Sequence, residues 1–137
     1  MQPPAHRLYA KLVLTANGEK QYLPVTLEDE NAYAGCKQLL ADEVKARRIQ
    51  LPLAALTHGH NTRQALNYNY QSWRDFFNER QLLALAWLQN GIAELPDPAM
   101  KDLFFTLFSG VLEFNNLFAT YKGEVQALCD TCFLITF

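Results

Sequence analysis

Glycine is scarce in this chain, and its six copies lie far apart, at positions 18, 35, 59, 91, 110 and 123. No two form the G-x-G spacing that lets a backbone approach a phosphate or nucleotide, so a phosphate-cradling loop is excluded. No serine sits in G-x-S-x-G and no H-E-x-x-H occurs, which removes two hydrolase templates. Cysteine is rare and odd in number, three in all, so a secreted disulfide framework is not expected and a reducing compartment fits better. The opening Met1-Gln2-Pro3-Pro4-Ala5-His6 lacks the basic-then-apolar pattern of a signal peptide. The chain therefore reads as cytoplasmic. Charge of one sign is also missing: twelve Lys+Arg against fourteen Asp+Glu leave a net −2. No global positive field points to nucleic acid, and any polyanion contact must be local.

What is present is one domain's worth of chain, 137 residues, half of them hydrophobic, enough for a sizeable core. Residues 7–15 and 20–25 are rich in β-formers and flank Ala16-Asn17-Gly18-Glu19. Asn-Gly takes positive φ at both central turn positions, so a β-hairpin is predicted. Leu8, Ala10, Leu12 and Leu14 share one face of it, and Pro24 closes the second strand. A two-stranded hairpin is marginal alone, so that face must pack on something else.

A helix is predicted from Thr26 to Arg48. Thr26 is the N-cap, Asp29 completes a capping box, and Glu28, Asp29 and Glu30 meet the positive end of the dipole. Lys45, Arg47 and Arg48 sit at the other end, and Tyr33, Cys36, Leu40 and Val44 form a narrow apolar stripe. Ser72-Trp73-Arg74-Asp75 has the form of a second capping box opening a short turn through Phe77. Asn78 re-caps a helix to about Asn90, with Leu83 and Trp87 on one stripe and Gly91 as its left-handed stop. Asp97-Pro98 starts a last helix expected to reach Lys122.

That last helix is unusually apolar. Phe104, Leu107, Val111, Phe114, Phe118 and Tyr121 follow steps of three and four, and further leucines and phenylalanines widen the stripe beyond one seam. It calls for burial on more than one side. Asp102 and Glu113 bracket a run far short of the roughly 20 residues a bilayer needs, so no membrane partner is expected. The partner surface is instead the rest of a larger protein or a second copy of the chain.

Two groups of residues bear on chemistry. His58-Gly59-His60 and Cys129-x-x-Cys132 supply the ligand types of a zinc site without a usual spacing, and loop histidines with semi-buried thiols are the simpler reading. No metal is assigned. The stretch from His58 to Arg74 lacks either period and is the best candidate for a functional loop. Asn61, Gln64, Asn67 and Asn69 are amides suited to base edges, Arg63 and Arg74 to phosphates, and Tyr68, Tyr70 and Trp73 to stacking on unpaired bases. The competing reading is amides that cap turns and aromatics that close the core.

The run from Tyr68 to Leu85, Tyr-Asn-Tyr-Gln-Ser-Trp-Arg-Asp-Phe-Phe-Asn-Glu-Arg-Gln-Leu-Leu-Ala-Leu, resembles a segment of the large bacterial adenine-specific DNA methylase-like proteins that carry a zinc ribbon. Glu19-Lys20-Gln21-Tyr22-Leu23-Pro24, Glu113-Phe114-Asn115-Asn116 and Tyr121-Lys122-Gly123-Glu124 are similar to that family too, so the likeness covers about residues 7 to 124. The resemblance implies methyl transfer from S-adenosylmethionine to adenine in DNA. It also implies a Pro-Pro-Tyr-like catalytic motif and a glycine-bearing cofactor loop. Neither is here: the only Pro-Pro is Pro3-Pro4, between Gln2 and Ala5. No catalytic residue carries over and no cofactor is expected in this chain. From Val125 to Phe137 the sequence departs from the family, as a truncated gene product would.

The expectation is thus an α+β chain, an incomplete piece of a larger fold: a hairpin over 1–25, a helical segment over 26–124 and an atypical tail over 125–137. Its expected role is that of a non-catalytic methylase-like fragment with DNA contact through residues 58–74. The alternative is a free-standing helical interaction module docking through its aromatic last helix.

Overall fold

The computed structural model describes residues 3–118. It has the expected α+β architecture, an antiparallel hairpin followed by helices. Strands β1 (Ala10–Leu14) and β2 (Lys20–Pro24) pair in register from Ala10 with Pro24 to Leu14 with Lys20. The turn differs from expectation. Only Gly18 has positive φ, at 79°, and its N–H donates to the Thr15 carbonyl at 2.9 Å while the Thr15 N–H donates to Glu19. This is the three-residue loop, a type I turn closed by a left-handed glycine, and it asks nothing unusual of Asn17. Leu8 and Leu12 are buried, whereas Leu14 at the hairpin tip is exposed.

Helix α1 (Leu27–Lys45) begins as predicted, with the capping box of Thr26 and Asp29 in place. The Asp29 carboxylate also accepts two hydrogen bonds from Lys11 Nζ, which fasten the hairpin to the helix. The helix ends three residues before Arg48. Arg47 turns left-handed at φ 56°, and Arg48 folds back so that its guanidinium grips Glu43. Glu43 is consequently buried while Val44, placed on the predicted stripe, is exposed.

Helix α2 (Arg63–Asn67) lies inside the stretch read as irregular. A 3₁₀ turn (Trp73–Phe76) follows, with Asp75 accepting from the backbone N–H groups of Gln71 and Ser72 as its capping-box pattern demands. Asn78 caps helix α3 (Glu79–Ala93). This helix runs past Gly91, whose φ is not positive, because Glu94 closes it through the Asn90 carbonyl. Trp87 is 47 % exposed, so the Leu83–Trp87 stripe does not hold; Leu82, Leu83, Ala86 and Ile92 face inward instead.

Helix α4 (Pro98–Phe114) starts at Asp97 and Pro98 as expected. It stops at Asn115 instead of Lys122, because the Asn115 and Asn116 side-chain amides donate to the last-turn carbonyls of Val111, Leu112 and Glu113 and compete with further turns. Residues 119–122 lie outside the described residues. The core is in two parts. Leu40 and Ile49 pack on Leu82, Leu83 and Ala86, uniting α1 and α3. A smaller cluster of Leu56, Ala65 and Tyr70, with Leu66 and Phe76, closes α2 on the 3₁₀ turn. None of the seventeen residues of α4 is buried, so among the described residues the chain does not itself supply the surface this helix calls for.

Candidate functional site

The stretch from His58 to Arg74 is built around α2. The Thr62 hydroxyl donates to the Thr57 carbonyl at 2.5 Å and closes the turn that carries His58 and His60. Both histidines are exposed, and His60 Nδ1 lies 3.3 Å from Asn61 Oδ1. Among the described residues no group of three or more His, Cys, Asp or Glu side chains is placed to hold a metal. Cys129 and Cys132 lie outside the described residues.

The nine candidate contact residues divide by burial. Helix α2 turns Ala65 into the core and leaves Arg63, Gln64 and Asn67 at the surface, where Asn61, Tyr68, Trp73 and Arg74 are exposed too. Asn69 and Tyr70 are structural instead. Asn69 adopts φ 66°, its N–H donating to Leu66 and that of Tyr70 to Ala65, the double bond of a Schellman stop. Asparagine tolerates the left-handed conformation that most residues avoid. Tyr70 is 5 % exposed, its ring edge-on to Phe118 at 4.9 Å and tilted against Phe76. Its hydroxyl lies 3.3 Å from His6 Nε2. Burial, with the Asp75 charge nearby, pushes that hydroxyl's pKa up, so it stays neutral.

An open cleft of about 930 Å³ separates the α2 and 3₁₀-turn side from α3 and α4, and it gathers only three of the nine, Asn61, Gln64 and Trp73. Arg63, Asn67, Tyr68 and Arg74 do not line it. Its floor includes Phe76 and Phe108, while Gln50 and Gln89 add amides that reasoning along the sequence missed. They come from a loop and from α3, far apart in sequence, so no local pattern marks them. Among the described residues, Glu113 is the one ionisable side chain at the cleft. An uncharged or planar group suits such a lining, and a phosphate does not.

The other distinctive surface is α4. Met100, Leu103, Leu107 and Phe114 are 42 %, 53 %, 57 % and 64 % exposed, and with exposed Gly110 they recur at steps of 3, 4, 3 and 4. That spacing draws one seam along a helix. At 100° per residue, Lys101, Asp102 and Glu113 all fall on other faces, so the seam carries no charge. No helix of the described residues is long and apolar enough to cross a membrane. No family model, no curated protein and no solved structure matches the chain.

Proposed function

We propose that this chain is a non-catalytic docking module that takes up an amphipathic helix of a partner protein along α4. One observation carries the reading: a seventeen-residue apolar helix has no buried residue, and its most exposed large apolar side chains fall on one uncharged seam at coiled-coil spacing. Taking roughly 100 Å² for each half-exposed large side chain, Met100, Leu103, Phe104, Leu107 and Phe114 present on the order of 500 Å² of apolar surface. That lies within the range of the largest patch on a monomeric protein, which is commonly a binding surface. A helix laid along the seam removes this area from water without burying a charge.

The test is titration of the native chain with a solvatochromic naphthalene sulfonate dye. Saturable fluorescence enhancement is expected, and combining Leu103→Glu with Leu107→Glu should remove most of it, leaving only what the cleft beside Phe76 and Phe108 takes up. Retention of full enhancement in that variant would place the apolar surface elsewhere and overturn the reading.

A second reading, contact with DNA by a methylase-like fragment, is supported by the shared exposure of Asn61, Arg63, Gln64, Asn67, Tyr68, Trp73 and Arg74. With two cations engaged, the logarithm of duplex affinity should fall against the logarithm of salt with a slope of about −2. Arg63→Ala and Arg74→Ala should each remove about half of that slope. Binding that is insensitive to both substitutions counts against it.

A further inference from the structure

We infer that the helix docking on α4 is the α4 of a second copy of this chain, running antiparallel about a two-fold axis at Leu107. This rests on the docking reading above and names its occupant. A register centred on Leu107 sets Met100 opposite Phe114. It sets Leu103 and Phe104 opposite Gly110 and Val111, so the bulkiest stretch of one copy meets the glycine of the other. Nothing lies within 4 Å of a Cβ built on Gly110, so that place is open to an incoming side chain.

The seam is therefore complementary to itself, as an isologous interface requires. The antiparallel sense brings the N-terminus of each helix to the C-terminus of its mate, which their dipoles favour. Charge does not oppose the pairing, since Lys101, Asp102 and Glu113 lie off the seam. Area also suffices: the order of 500 Å² presented by each copy becomes roughly 1,000 Å² across the pair, about the least a specific interface needs. The weak end of that range points to a dimer that exchanges with monomer.

Sedimentation velocity of the full chain over a concentration series tests this. The expected result is a monomer–dimer equilibrium whose dissociation constant rises at least ~10-fold in Leu107→Glu, while Asp102→Lys, exposed on α4 but well off the seam, leaves it unchanged. Circular dichroism establishes that each variant is folded. In a background with Cys36, Cys129 and Cys132 replaced by serine, Leu107→Cys should form a disulfide dimer with its own mate under mild oxidation, and Met100→Cys should not.

A chain that stays monomeric at every concentration overturns the self-partner. If it still takes up the dye along α4, the docking reading survives; if it does not, both fall. A dimer indifferent to Leu107→Glu, or one cross-linked through Met100→Cys as readily as through Leu107→Cys, overturns the two-fold register.

Discussion

Lys11 Nζ lies 2.7 Å and 2.9 Å from the two carboxylate oxygens of Asp29, so one side chain both caps α1 and ties the N-terminal hairpin to it. The Thr26 N–H and hydroxyl donate to the same carboxylate. The Lys11 hydrogen bond, followed by those from Thr26, holds the Asp29 pKa down at about 2.

A pH dependence follows from that depression. An aspartate whose folded pKa lies below its unfolded value of about 3.9 contributes stability that is complete above the unfolded value. The contribution is lost as pH falls from about 4 through about 2. Thermal unfolding across this window should show Tm declining in the wild type, with Asp29→Asn starting lower and declining less. Equal slopes in the two proteins would contradict the assignment.

Two neighbouring tyrosines should behave oppositely. Tyr70 is packed between Phe118 and Phe76, so Tyr70→Ala should cost about 3–5 kcal/mol in urea unfolding, as for other buried aromatics. Tyr68 is 57 % exposed, and Tyr68→Ala should stay within about 0.5 kcal/mol. A large cost at Tyr68 would place it in the core.

Asn69 offers a backbone test. Because it sits at φ 66°, Asn69→Ala should destabilise by about 1 kcal/mol through the left-handed conformation, while Asn69→Gly should be neutral or better. The pair of urea transitions decides between a conformational role and one for the amide itself, in which case glycine would be as costly as alanine.

These residues also mark where the sequence is legible. The boxes Thr26–Asp29 and Ser72–Asp75 and the Asp97–Pro98 start are local chemistry, complete within four residues, and the chain folds at each as that chemistry dictates. Helix stops are less legible. Gly91 has the residue type of a stop but lies within α3, since the partners that close that helix lie beyond it. Burial of Glu43 depends on Arg48 turning back to meet it, which no helical period reports. Helix α2 is too short for a periodic signal, and Gln50, Gln64 and Gln89 meet only once folding sets α2 and α3 on opposite sides of the cleft. Of the proposed contact stretch, residue type alone does not separate exposed Tyr68 from buried Tyr70, or exposed Asn67 from Asn69 in its turn.

The seam on α4 is the centre of this account, and urea unfolding of Leu107→Glu, at a concentration low enough to dissociate the proposed dimer, tests it most directly. Leu107 is 57 % exposed, so a docking face predicts a stability within about 0.5 kcal/mol of the wild type. A loss of about 2 kcal/mol or more, the cost of placing a charge in a packed interior, would make α4 part of the core and contradict the account.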